Sequence, residues 1–93
     1  MPVPHYAKRR DANEAQIVEA LQAIGASVEL LDVPCDLLVG FRGRNYLLEV
    51  KTANGKLTKS QREWWAKPYN GQRAIVRSVD DALVAIGALQ CAT

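Results

Sequence analysis

Three residues in the middle of the chain, Asp36, Glu49 and Lys51, have the types and spacing that metal-assisted hydrolysis requires. Glu49 and Lys51 are two positions apart in an apolar segment, so on a strand their side chains project from the same face. Asp36 opens the preceding apolar segment. A two-residue turn at Arg42-Gly43 or at Gly43-Arg44 would place Asp36 opposite Glu49 or opposite Lys51, and on their face in both cases.

Two carboxylates that face each other predict a cation between them. Like charges at short range repel, and a hard divalent cation with oxygen ligands removes that repulsion. We therefore expect Mg²⁺, with Mn²⁺ as a substitute, bound by Asp36, Glu49 and the backbone carbonyl of Val50. Lys51 beside the ion would orient an attacking water and stabilise charge on a phosphate. Taken alone, Glu49 and Lys51 also allow a plain surface ion pair.

The elements that must position these residues can be read from apolar periodicity and from capping patterns. Polar starts predict a helix over 12–24 with Asp11 as its N-cap, and further helices after Thr58 and Ser78. Runs rich in Val, Leu and aromatic residues predict strands over 27–33, 37–41, 45–51 and 73–77. The order α-β-β-β-α-β-α predicts an α/β fold, a single mixed sheet of about four strands flanked by helices.

Composition sets the size and class of the protein. The chain has 93 residues, of which 48% are hydrophobic and 24% charged, so one small core is expected and a disordered chain is excluded. We expect a basic arm over 1–10 and a single domain over 11–93. With two cysteines and one histidine, a structural zinc site lacks ligands. No apolar run approaches the ~20 residues that span a bilayer, and the N-terminus lacks an apolar leader, so we expect a cytoplasmic protein without a membrane partner.

Charge is distributed unevenly, and this favours a polyanionic partner. Residues 1–35 hold three basic residues against five acidic ones, whereas residues 42–77 hold nine basic residues against two acidic ones. Such a basic stretch suits the phosphate backbone of nucleic acid. The candidate nucleic-acid-binding residues are Lys8, Arg9, Arg10, Arg42, Arg44, Lys56, Lys59 and Arg62. Trp64 and Trp65 point about 100° apart on a helix, so we expect one in the core and the other free to stack on a base or to meet a second subunit.

The same residues carry a resemblance to a known superfamily. Asp36 followed by Glu49-Val50-Lys51, with Glu14 on the helix before and Gln61 on the helix after, resembles the PD-(D/E)XK nuclease pattern. More narrowly, four segments resemble the small stand-alone nucleases of the virus-type replication-repair (VRR-Nuc) kind that phages carry. These segments are residues 34–39, 46–51, 56–64 and 76–83. The resemblance spans nearly the whole chain after Arg10.

That resemblance implies a restriction-endonuclease-like core and a Mg²⁺-dependent deoxyribonuclease acting on structured DNA, such as a flap or a Holliday junction. It implies Asp36 and Glu49 as metal ligands, Lys51 as the catalytic lysine, Gln61 as an accessory polar group and Glu14 as a further acid. It also implies a phage or prophage protein in a bacterial host cell. Cutting both strands of a junction requires two active centres, so we expect a homodimer.

Two alternatives remain open at the level of sequence. Glu14 follows Asp11, and Gln61 follows Thr58, at the spacing of a helix capping box, so either residue could serve structure alone. The whole chain could also be a non-catalytic nucleic-acid-binding module with a degenerate nuclease fold. Both functional hypotheses predict salt-dependent binding to DNA, but only the nuclease should require Asp36, Glu49 and a divalent ion.

Overall fold

Over residues 10–90, a single mixed sheet of four strands and three helices follow one another in the order α-β-β-β-α-β-α, which confirms the predicted fold class. The computed structural model describes residues 10–90. The elements are α1 (Glu14–Ala23), β1 (Ser27–Leu30), β2 (Leu37–Phe41), β3 (Arg44–Val50), α2 (Lys59–Ala66), β4 (Arg73–Val76) and α3 (Val79–Ala85). Lys8 and Arg9, with the rest of the predicted arm up to residue 9, lie outside the described residues.

The sheet has the strand order β1-β2-β3-β4. β1, β2 and β3 form an antiparallel meander, and β4 joins β3 in parallel. The β2–β3 hairpin closes through Arg42-Gly43, because Phe41 pairs with Arg44. Both turn residues have positive φ, 52° at Arg42 and 79° at Gly43, as a type I′ turn requires. Of the two turns that the sequence allows, the structure has the first.

One face of the sheet packs against α1 and α3 and forms the core. Leu37 and Val39 of β2 and Leu48 and Val50 of β3 are fully buried there. The helices contribute Ile17, Leu21, Ala82 and Ile86. Since side chains alternate along a strand, Leu47 and Glu49 point to the opposite face. That second face is the one that α2 approaches, because the Gln61 side chain of α2 contacts Glu49.

Three local predictions are wrong. α1 begins at Glu14 and not after Asp11, because its N-cap is Asn13, which makes no side-chain cap bond within residues 10–90. The Asn13 amide donates instead to the carbonyls of Lys51 and Arg77. β1 ends at Leu30, three residues before the predicted end.

The third correction concerns the tryptophans. Trp64 and Trp65 are both half-buried, and neither belongs to the apolar core of the described residues. Over the same range, no helix combines the length and apolar character needed to cross a membrane.

Candidate active site

Glu49 and Lys51 lie at the carboxyl end of β3, as their spacing predicts. The Lys51 ammonium is 3.6 Å from Glu49 Oε2. Glu49 is 1% exposed and Lys51 is 9% exposed, so this is not the plain surface ion pair that these residues alone also allow. A buried pair loses hydration on folding, so it is poor evidence for stability and better evidence for a site.

Asp36 joins this pair from the residue before β2. It is 4% exposed. Its position beside Glu49 follows from the register of the hairpin, since its neighbour Leu37 pairs with Leu48. Asp36 Oδ2 accepts a 2.7 Å hydrogen bond from the Val50 N–H. In an extended strand the N–H and C=O of one residue point to the same side, so the Val50 carbonyl also points towards the Asp36 side of β3.

Gln61 takes part in the helix cap and also contacts Glu49, so it is more than a cap, while its accessory role in catalysis stays a prediction. Its backbone N–H donates to Thr58 Oγ1, and its Oε1 accepts from the Thr58 N–H at 2.8 Å, which completes a capping box. Its Nε2 donates to Glu49 Oε2 at 3.2 Å. The capping box therefore fixes the amide of Gln61 with its donor end turned to the buried carboxylate.

Glu14 and Arg10 form the other side of the site. Glu14 is 5% exposed, and its Oε2 accepts from Arg10 Nη1 at 3.2 Å. The same guanidinium donates to the Asp36 carbonyl at 3.3 Å and lies 3.9 Å from Asp36 Oδ1. Arg10 thus links the two acids that the sequence places 22 positions apart. Its predicted contact with nucleic acid stays a prediction.

Asn13 and Arg77 hold the backbone around Lys51, and the sequence gives no sign of this. Asn13 Nδ2 donates to the carbonyls of Lys51 and Arg77, both at 3.1 Å, so it ties the start of α1 to the ends of β3 and β4. Arg77 Nη1 donates to the carbonyls of Thr52 and Gly55 at 2.8 and 2.7 Å. Arg77 thereby shapes the loop that leads from Lys51 to α2.

The predicted nucleic-acid-binding residues separate into two groups. Arg42 and Arg44 are exposed at the hairpin, at the opposite end of β3 from Lys51, so about 20 Å of strand lies between them. The residues that follow Lys51, namely Lys56, Lys59 and Arg62, are exposed on the loop and on the first turns of α2. Of these two groups only the second flanks Gln61, and Arg10 is the other predicted residue beside the buried carboxylates.

The donor set of the site fits a hard divalent cation in its chemistry. The carboxylates of Asp36 and Glu49 and the carbonyl of Val50 supply only oxygen, and Mg²⁺ in proteins is commonly held by one or two carboxylates with water completing the shell. Residues 10–90 contain no group of three or more His, Cys, Asp or Glu side chains arranged to bind a metal. A metal here would therefore depend on these two carboxylates and on backbone oxygen.

Comparison with known proteins gives no family for this chain. No protein-family model, curated protein or solved structure matches this chain. The geometry of Asp36, Glu49, Lys51 and Gln61 is therefore the observation that bears on function.

Proposed function

We propose that this protein is a divalent-metal-dependent endonuclease of the PD-(D/E)XK type, similar to VRR-Nuc nucleases, that hydrolyses phosphodiester bonds in structured DNA. The observation that supports it best is the convergence of three charged side chains at one end of the sheet. Asp36, Glu49 and Lys51 are each at most 9% exposed, although each could have been solvated at a strand end. Burial of this kind favours a catalytic site over a solvated surface.

Each residue has a distinct task in this proposal. The carboxylates of Asp36 and Glu49 bind Mg²⁺ or Mn²⁺, which when bound polarises the phosphate and lowers the pKa of water. Lys51 holds the attacking water against the phosphorus and balances the charge that develops on the phosphate oxygens. Gln61 keeps Glu49 oriented through the 3.2 Å bond from its Nε2. Water adds to phosphorus, one P–O bond breaks, and the products are a phosphate monoester and a free hydroxyl.

Cleavage of a DNA panel with Lys51→Ala beside the wild-type protein tests the proposal. The panel contains supercoiled, linear, single-stranded, flapped and four-way-junction DNA, each incubated with MgCl₂, MnCl₂ or EDTA. We expect metal-dependent products from the wild type and a loss of about 100-fold or more in rate for Lys51→Ala, the scale of losing one electrostatic contact in a transition state. Lys67→Ala, an exposed lysine at the end of α2, is the matched control and should cleave like the wild type.

The same experiment decides against the alternative. A non-catalytic binding module would bind the panel in a salt-dependent manner but release no product with either metal, and Lys51→Ala would behave like the wild type. Asp36→Asn and Glu49→Gln add a second check. Each should abolish cleavage while the protein still folds, because the isosteric amide keeps the volume of the buried side chain.

A homodimer forms part of the proposal, since one active centre cuts one strand. Two copies would place two centres on a junction. Light scattering of the protein with and without junction DNA measures this directly. A strictly monomeric mass under both conditions would contradict the dimer and leave the nuclease assignment standing.

A further inference from the structure

A cavity of about 310 Å³ opens next to the candidate active site, on the face that α2 approaches. Trp64, Val33 and Pro34 are its apolar lining residues. Small-molecule pockets in proteins span roughly 300–1,000 Å³, so this one suits a single small planar group and excludes a duplex. Its apolar surfaces are one flat aromatic ring and a short aliphatic segment.

The cavity borders the site on two sides. Gln61 lines it, and the same side chain donates to Glu49 Oε2 at 3.2 Å. Asp32 also lines it, and Asp32 Oδ1 is 3.8 Å from Arg10 Nη2. Arg10 in turn contacts Asp36. A group held in the cavity would therefore be separated from Glu49 by one side chain, Gln61, and from Asp36 by two, Asp32 and Arg10.

Trp64 is held in place by its neighbours before anything binds. The guanidinium carbon of Arg73 lies 4.6 Å from the centroid of the indole, and Trp65 meets it edge to face at 5.4 Å. A ring with a fixed orientation loses little freedom when a second planar group stacks on it, which favours binding. Trp64 is only half-buried, so part of it remains accessible.

Polar groups around the cavity select a base over a phosphate. The Asp32 side chain is 68% exposed, and its negative charge disfavours a phosphate but accepts a hydrogen bond from an exocyclic amino group. The hydroxyls of Thr58 and Ser60 line the cavity too, and each can donate or accept. Stacking on tryptophan with hydrogen bonds at the edge is how unpaired bases are bound in single-stranded nucleic acid.

We propose that this cavity binds one unpaired nucleobase, stacked on Trp64, next to the phosphodiester that the active site cleaves. The inference rests on the proposed function for its cleavage site, and it narrows the substrate class. DNA with an unpaired nucleotide beside the scissile bond is preferred over continuous duplex, because a paired base cannot enter the cavity.

A pair of duplexes that differ by one base tests the cavity. Each carries one unpaired residue at the same position of the same strand. In the first it is an adenosine, and in the second it is a tetrahydrofuran abasic residue that keeps the backbone and its charge. Fluorescence anisotropy in EDTA measures the two dissociation constants without cleavage. We expect the wild type to bind the adenosine duplex roughly 5- to 150-fold more tightly, the effect of one base–aromatic stack.

Variants then locate the effect. Trp64→Leu should bring the ratio of the two dissociation constants close to one, whereas Trp64→Phe should keep most of it. Val33→Ser is the second variant, because Val33 is 80% exposed and its replacement cannot disturb the core; we expect it to lower the ratio several-fold. Leu30→Ser is its matched control, since Leu30 is also exposed and does not line this cavity; the ratio should stay at the wild-type value. Thermal melts establish that every variant is folded.

The outcomes separate this inference from the proposed function. A wild-type ratio near one, or a ratio that survives both Trp64→Leu and Val33→Ser in folded proteins, overturns the base cavity even if the protein cleaves DNA. A ratio that depends on Trp64 and Val33 supports the cavity even if no metal produces cleavage, and in that case only the nuclease assignment fails.

Discussion

Helices α1 and α2 both begin beside the candidate active site, but their first turns are held in opposite ways. α2 is held locally: Thr58 and Gln61 exchange hydrogen bonds in a capping box, and one spare donor of Gln61 reaches Glu49. α1 is held from a distance. Its N-cap Asn13 donates to Lys51 and Arg77, which are 38 and 64 positions away.

This difference follows from what competes for each side chain. Thr58 is exposed, and besides water its hydroxyl meets only groups of its own helix, the Gln61 N–H at 3.2 Å and the Ser60 hydroxyl at 3.4 Å, among the hydrogen bonds of the described residues. Asn13 is half-buried, next to two carbonyls at the ends of β3 and β4, and leaving them without a donor would cost more than a missing cap contributes. A capping pattern is therefore a reliable guide at the surface and an unreliable one where strand ends meet a helix.

The largest expected effect is that of Asn13→Asp. Aspartate is as good an N-cap as asparagine, so a local role for residue 13 would make the change neutral. If residue 13 instead holds distant segments, the substitution removes the donor to the Lys51 and Arg77 carbonyls and places a negative charge beside them. We expect a loss of about 2 to 4 kcal/mol in the free energy of unfolding, measured by urea denaturation. Asn70→Asp, at an exposed site, is the control, and an equal effect in both variants would contradict this assignment.

Gln61→Glu separates the two tasks of Gln61. Glutamate is a standard partner in a capping box, so the helix start is retained. The donor to the buried Glu49 carboxylate, however, becomes an anionic oxygen. We expect the free energy of unfolding, measured by urea denaturation in EDTA, to fall by about 2 kcal/mol, since hydrogen bonds to charged groups contribute ~1.5–3 kcal/mol. Cleavage, measured separately with MgCl₂, should fall as well. Ser60→Glu adds the same charge to the same turn, and its stability should stay near wild type.

Thr58→Ala tests the local cap alone. Loss of an N-cap hydroxyl costs about 1 kcal/mol, and Thr58→Ser should restore it because the hydroxyl returns. Denaturation midpoints of the three proteins measure this. A serine variant as unstable as the alanine variant would show that the methyl group and not the cap bond matters.

The smallest expected effect is that of Asp11→Ala. The Asp11 backbone carbonyl accepts from the Glu14 N–H at 3.1 Å, and that bond survives the change of side chain. We expect a shift within about 0.5 kcal/mol, below that of Thr58→Ala in the same assay. A loss as large as that of Thr58→Ala would restore Asp11 as a cap of α1.

The parts of the molecule that sequence predicts well are those decided by neighbours in the chain. The bounds of β2 and the caps at Thr58 and Ser78 follow from residues within a few positions, and a two-residue turn is predicted too, although the sequence leaves open whether it is Arg42-Gly43 or Gly43-Arg44. The alternation of β3 and a two-residue turn also predict that Asp36 lies beside the end of β3 that carries Glu49 and Lys51, where it accepts from the Val50 N–H.

What the sequence does not predict depends on contacts between distant segments. Arg10 is 26 positions from the Asp36 carbonyl to which it donates, and no pattern near Arg10 in the sequence indicates that contact. Neither tryptophan enters the apolar core formed by residues 10–90, because Arg73 of β4 packs against both indoles, 4.6 Å from Trp64 and 4.7 Å from Trp65. The sequence around the tryptophans of α2 does not indicate that an arginine of β4 packs against them.

Arg73 also holds the carboxyl end of α2. Within the described part of the chain none of the eight residues of α2 is buried, and the last turn of the helix contains no basic residue of its own. Arg73 supplies that charge, donating to the carbonyls of Trp65 and Lys67 at 3.2 and 2.8 Å. Hydrogen bonds thus hold the helix at both ends, those of Thr58 and Gln61 at its start and those of Arg73 at its end. Segments with few buried contacts open at a lower free energy than the core, so amide hydrogens of α2 exchange with solvent before those of β3.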